Sequence, residues 1–220
     1  DRLPADLTDV EHAETIVVVG GDIEESHQVI SLRVKDAVTK RGAKLILISS
    51  RWSELVQFAE AWLRPAPGQE AAAAQALADG LGSSPPDVPS VAVETVAAAI
   101  STLRAAVDGD SDQTAVIFAP AAAHGATRAG AEAAAAANVA IAVHAASAGE
   151  HLYYLPTDAN VLGIADAGIA PAEQGLDFPS IIEGAQDGSI KALVLHEDNP
   201  LLNAPGTADI EAALANLEAL

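Results

Sequence analysis

The residues able to do chemistry stand just behind apolar runs. In "VVVGGDIEESH", residues 17–27, a β-branched run ends in Gly20 and Gly21 and is followed by Asp22, Glu24, Glu25, Ser26 and His27. A glycine turn between a strand and a helix brings backbone N–H groups toward a phosphate, so the stretch has the outline of a nucleotide-gripping loop. It does not satisfy G-x-G-x-x-G, and carboxylates at 22, 24 and 25 stand where a pyrophosphate wants bare N–H groups. No G-K-[ST] occurs, which removes a Walker loop. Ser26 beside His27, with Asp22 near, has the composition of a hydrolytic triad; adjacency does not supply triad geometry, and a capped helix start accounts for Ser26.

Three further turns follow apolar runs: "SSRWSE" with Ser49, Ser50 and Arg51, "APAAAHGA" with His124, and "HEDNPLL" with Asn199. Arg51 has the planar fork that meets a phosphate or carboxylate, and its bland alternative is a salt bridge on an acidic protein. Asn199, before Pro200, either bonds its own turn or reads a ligand edge. The six histidines, at 12, 27, 124, 144, 151 and 196, include no H-E-x-x-H pair. His144 and His151 would share a face only if one helix reached both, and Gly149 is expected to end it, so they do not read as a metal site. No catalytic residue and no metal ligand is assigned.

Composition narrows the chemistry. The 220 residues contain no cysteine, which excludes disulfides, thiolate nucleophiles and cysteine-held iron–sulfur clusters within this stretch. Any redox role needs an organic cofactor or a partner. A formal charge of -20, from 31 acids against 11 bases, repels phosphate backbones and anionic lipid surfaces, so nucleic acid is not an expected partner and neither is direct membrane insertion. No run approaches the roughly 18 apolar residues of a membrane helix. Methionine is absent and the chain opens "DRLPADLTDV", which is expected of a fragment cut from a longer chain.

The elements that must position these residues alternate. "ETIVVVGG" is a buried strand; "SHQVISLRVKDAVTKRG" has helical spacing and a C-cap at Gly42; "AKLILISS" is a second strand, giving a parallel crossover. A short helix is expected around Ser53 to Glu60, then an extended piece stopped by Pro65 and Pro67. "QEAAAAQALADGLG" is a helix by propensity, "SSPPDVPS" a linker, and "VAVETVAAAISTLRAAVDG" a new helix. "TAVIFAP" is a third strand, and an alanine-rich helix covers about Thr127 to Ala146. "EHLYYLP" is a short strand or extended piece, and residues 157–175 form a glycine-punctuated loop. "IKALVLHEDNP" supplies a fourth strand near 191–195, and a closing helix takes Thr207 as N-cap. The fold expected is α/β, a Rossmann-like three-layer αβα domain with a mostly parallel sheet, from halves 1–84 and 85–220 packed together.

Combined and in order, these stretches resemble the molybdopterin oxidoreductase superfamily. Its pattern is a strand, Gly-x-Asn-Pro-x-x-x-His-Pro, a helix, G-A-K-L-I-V-V-D-P-R, and an extended A-D-x-W-L-x-x-R-P-G-T. Residues 17–68 follow that order, and "GSIKALVLHEDNPLLNAPG" looks like the G-x-I-K-A-L-x-V-x-G-x-N-P-L segment. The resemblance implies the central-domain type of formate dehydrogenase and DMSO reductase. Within the superfamily the chain is similar to the molybdopterin-enzyme-like region of the large iron–sulfur subunit of bacterial NADH:quinone oxidoreductase (complex I). "DANVLGIADAGIAP" resembles A-N-x-x-G-A-x-D-x-G-x-x-P of those subunits at Asn160, Gly163, Asp166, Gly168 and Pro171.

That resemblance implies a region of the complex's peripheral arm, on the cytoplasmic side. Its iron–sulfur clusters would lie in an N-terminal part, its partners would be other peripheral-arm subunits, and a further strand would follow Leu220. Cofactor-using relatives carry Gly-x-Asn-Pro after the first strand, where this chain has Gly20, Gly21, Asp22 and Ile23. After the second strand they carry Asp-Pro-Arg, the Asp pairing with guanine of a molybdopterin guanine dinucleotide, where this chain has Ser49, Ser50 and Arg51. An unpaired buried polar edge costs about 1–3 kcal/mol. The expectation is a structural domain without cofactor. The alternative is a domain binding molybdopterin guanine dinucleotide through Gly20, Gly21, Asp22, Ser49, Arg51 and Asn199. A free-standing small-molecule sensor of the same shape has only fold analogy behind it.

Overall fold

Every residue of β1 (Thr15–Gly20) is buried, as a strand covered on both faces requires. The computed structural model describes residues 7–84, 86–109, 113–120, 126–144 (backbone only for 126–128), 148, 150–157, 160, 163, 166–168, 175–204 and 206–220. These fall into two units, 1–159 and 160–220. The expected division near residue 85 falls inside the first unit, because strands from both sides of it enter one sheet.

In the first unit, β1 pairs in parallel with β2 (Lys44–Ile48) and with β4 (Thr114–Ala119). β3 (Ala61–Leu63) adds to β2 and β5 (Leu152–Tyr154) to β4, giving the order β3-β2-β1-β4-β5, all parallel. The extended pieces at 61 and 152 are therefore sheet strands. Both lie at the rim, where three residues suffice because only one side needs a ladder.

Alternation along the strands builds three layers. Val17, Val19, Ile46, Ile48, Val116 and Phe118 face α4 (Glu70–Gly82), α5 (Val93–Asp108) and α6 (Ala126–His144). Ile16, Val18, Leu45, Leu47 and Ile117 face α1 (Leu7–His12) and α3 (Gln28–Arg41). Ala73 and Ala74 of α4 and Ala136 and Ala140 of α6 are fully buried, and such small side chains let these helices and the sheet approach closely. Gly42 ends α3 in the left-handed region, φ 79°, its N–H reaching the Ala37 and Val38 carbonyls, as the sequence predicts.

Several expectations change in detail. Around Ser53 the chain forms a 3₁₀ turn, Glu54–Phe58, with Ser53 as its cap. The alanine-rich helix is described as far as His144, with residues 145 and 146 outside the described residues, and the His144 ring stacks on that of His151, centroids 4.0 Å apart. Ser26 does not start a helix: it ends the short α2 (Ile23–Ser26), whose N-cap is Asp22.

The second unit has its own small core, Ile182 and Ala185 of α7 (Phe178–Asp187) with Ile210 and Ala213 of α9 (Thr207–Ala215). The cap of α9 is Gly206 at φ 86°, not Thr207, whose hydroxyl donates to Leu201 O. The strand expected at 191–195 is reduced to a single parallel bridge, Ala192 to Ala219. No ladder extends along Val194, which is 90% exposed, and an apolar run without a partner strand does not become one. In the 157–175 loop, Asn160 has φ 60°, while Pro171 lies outside the described residues.

Candidate functional site at the sheet switch point

The chain leaves β1 toward β2 and β3 on one side, and β4 and β5 lie on the other. At such a reversal the loops after neighbouring strands part and open a crevice at the carboxyl ends. Here the crevice is a cleft of about 410 Å³. Gly20, Gly21, Asp22, Glu25, Ser26 and His27 line it from β1, and Ser49, Ser50, Arg51 and Ser53 from β2. Pro120, Thr157 and Glu70 stand in the same wall. Five of the six sequence-assigned site residues are thus brought together.

Gly20 makes the turn possible. Its φ is 103°, and a Cβ there would lie 2.3 Å from the Ala119 carbonyl oxygen of β4. Gly21 N–H donates to that same oxygen at 2.6 Å. Asp22 folds its carboxylate back over α2 and accepts from Glu24 N at 2.9 Å. These two N–H groups are therefore engaged within the turn.

Ser26 Oγ donates to Asp22 O at 2.8 Å and lies 2.9 Å from His27 Nδ1. The other ring nitrogen, Nε2, donates to Pro156 O at 2.9 Å, since a carbonyl can only accept. His27 thereby ties the β1 turn to the segment after β5, and among the described residues no carboxylate orients it as a triad would require.

The β2 turn is held by neighbours. Ser49 Oγ donates to Arg51 O at 2.8 Å, Trp62 Nε1 donates to Ser49 O at 3.0 Å, and Arg64 Nε reaches Ser50 O. The Arg51 side chain is exposed and forms no ion pair among the described residues, so the salt bridge expected of it is absent there. Behind the turn, Lys35 joins Glu24 and Glu54, while Glu24 Oε2 accepts from Leu55 N at 3.0 Å. Hydrogen bonding to Glu24, then Glu54, raises the Lys35 pKa above its ordinary 10.5, and the bond from Lys35 lowers that of Glu54.

Asn199 belongs to the second unit. Its Oδ1 accepts from Leu201 N at 3.1 Å and caps α8 (Pro200–Asn203), the self-bonded turn that Asn before Pro favours. Two cleft residues carried no sequence signal. Glu70, 1% exposed, was legible only as the first residue of an alanine-rich helix, and Ser53, 7% exposed, only as part of a short helix. Among the described residues no group of three or more His, Cys, Asp or Glu is placed to hold a metal ion.

A parallel, doubly wound domain with its cleft at the switch point defines a nucleotide-fold class of protein. Within that class the chain belongs to the molybdopterin oxidoreductase family, whose model matches residues 3–220. The alpha subunit of NADPH-Fe(3+) oxidoreductase of Geobacter sulfurreducens, in two strains, is 28% identical over a 259-residue alignment covering 96% of this chain and 30% of that protein. A probable oxidoreductase of Bacillus subtilis, YjgC, is 31% identical over 64 residues, 29% of this chain and 6% of that protein. The chain thus spans under a third of the length of these curated relatives.

Gly21 N–H and Glu24 N are engaged, and Asp22, Glu25 and Glu70 bring three carboxylates to the cleft against Arg51. On the β2 side Ser49 supplies a hydroxyl already donated to Arg51 O, and no carboxylate stands between Ser49 and Ser53.

Proposed function

We propose that this is a cofactor-free structural domain of the large iron–sulfur subunit of an NADH:quinone oxidoreductase of the complex I type. In this reading it holds shape and docking faces for other peripheral-arm subunits on the cytoplasmic side, while electrons pass through clusters outside it. The observation that carries the absence of cofactor is the self-engaged β1 turn: the Asp22 carboxylate occupies the Glu24 N–H and a β4 carbonyl occupies that of Gly21. A bound diphosphate would have to displace both and face the cleft's carboxylates. The complex I assignment rests on the motif order and on the loop pattern through Asn160, Gly163, Asp166 and Gly168. Among the described residues no helix is long and apolar enough to cross a membrane.

The family match along 3–220 favours a second reading, a domain binding molybdopterin guanine dinucleotide in a molybdenum oxidoreductase. It requires contacts from Gly20, Gly21, Asp22, Ser49, Arg51 and Asn199. One measurement separates the two: molybdenum by mass spectrometry and pterin fluorescence after oxidation, on the full-length native protein. Neither is expected, and stoichiometric pterin dinucleotide sinks the first reading.

A further inference from the structure

The Glu70 side chain is 1% exposed at the first turn of α4, yet it reaches the wall of the cleft. Oε2 accepts from Gly68 N at 2.7 Å, and Oε1 has no hydrogen-bond partner among the described residues. Ser53, 7% exposed, also lines the cleft; it stands at the cap of the 3₁₀ turn but makes no side-chain cap hydrogen bond, and its hydroxyl finds no other partner among the described residues. Buried polar side chains are nearly always hydrogen-bonded. Glu70 Oε1 and Ser53 Oγ are not among the fully buried atoms left without a partner, so in these two buried residues the unused capacity meets the solvent of the cleft, where a ligand's polar atoms can replace water.

The sign of that ligand follows from the walls. Asp22, Glu25 and Glu70 line the cleft together with Arg51, so carboxylates outnumber the guanidinium. Their environments weigh in the same direction. Arg51 is exposed and screened by solvent ions, whereas Glu70 acts from a buried position where a charge is felt more strongly. Asp22 and Glu70 each have one carboxylate oxygen engaged by a nearby backbone N–H, and of the three acids only Glu70 is buried, which makes it the seat. A cleft of about 410 Å³ suits a small organic molecule.

We propose that the switch-point cleft binds a guanidinium or alkylammonium group, seated on the Glu70 carboxylate with Ser53 Oγ accepting a further N–H. This goes beyond the structural role proposed above and rests on its premise that no dinucleotide fills the cleft. The group can come from a free small cation or from an Arg or Lys side chain of a partner subunit. Both present the same N–H donors to a carboxylate.

The test is calorimetric titration of the full-length protein with agmatine, with a capped Gly-Arg-Gly peptide, and with inorganic pyrophosphate. Agmatine is expected to saturate one site, and its affinity to fall about tenfold or more in Ser53→Ala and in Glu70→Gln, the loss of a hydrogen bond to a charged group. Pyrophosphate is expected to give no binding heat. Tighter binding of the peptide assigns the source to a partner's side chain, tighter binding of agmatine to a free cation, and either supports the chemistry. Ser53→Ala removes one oxygen that holds nothing in the fold, so it remains informative if Glu70→Gln fails to fold. Trp52 and Trp62, both tryptophans of the chain, flank the β2 turn and give an independent fluorescence readout. The proposal is overturned by the absence of agmatine binding to folded protein, by unchanged affinity in both variants, or by a preference for pyrophosphate. Pterin and molybdenum assays on the same preparation show separately whether the cofactor-free reading has failed.

Discussion

At Gly20 one hydrogen atom decides whether the β1 turn can exist. The residue combines φ 103° with a β4 carbonyl oxygen 2.3 Å from where a Cβ would be. Relief would require moving β1 against its neighbour, because the obstacle is backbone. Gly20→Ala is expected to cost on the order of 2–4 kcal/mol, read as a lower urea midpoint with little change in slope. The glycine was legible in the sequence as part of a turn signal. The consequence for Asp22 was not: a carboxylate after a glycine pair reads equally as a repellent for phosphate or as a helix cap, and its bond to Glu24 N is a matter of where α2 begins. Ser53 and Glu70 were less legible still, since burial beside a cleft depends on which face of a distant element turns toward it.

At the scale of elements, Lys35 fastens α3 to α2 and to the 3₁₀ turn through Glu24 and Glu54, with the Phe58 ring 6.0 Å from its ammonium. Its raised pKa means that its contribution is complete below about 10.5 and is lost as pH rises through the higher folded value. The lowered pKa of Glu54 acts with the opposite sign: its contribution is complete above about 4.5 and is lost as pH falls through the lower folded value. Lys35→Met is therefore expected to be less stable than the parent across the interval between those limits, with the gap narrowing beyond either end. Chemical unfolding over a pH series measures it, and a gap independent of pH would show that packing, not charge, is what the lysine supplies. Strand identity was legible where β-branched runs such as "TIVVVG" and "TAVIFA" are buried on both faces. "IKALV", apolar but for Lys191, forms one bridge among the described residues, because a strand is completed by its neighbour and Val194 has none there.

For the whole molecule the dominant quantity is the charge of -20. Mutual repulsion of exposed carboxylates opposes the compact state and is screened by salt, whose screening length falls from about 30 Å at 0.01 M to about 8 Å at 0.15 M. The melting temperature is expected to rise by several degrees over that interval, followed by circular dichroism at neutral pH. An unchanged or falling value would mean that favourable pairs such as Lys35 with Glu24 and Glu54 outweigh the repulsion. The sequence by itself determined the acidity, the alternation of strands and helices, and the glycine turn after β1. It also determined the family, because motif order is a property of the chain read in line. Only the tertiary structure decided that β4 lies beside β1 and opens the cleft between their ends. It alone decided that His27 reaches Pro156 and that the buried residues Glu70 and Ser53 line the same space. Those relations join residues far apart in sequence, and they are set by which side of β1 each crossover returns to, a choice that no local spacing of side chains records.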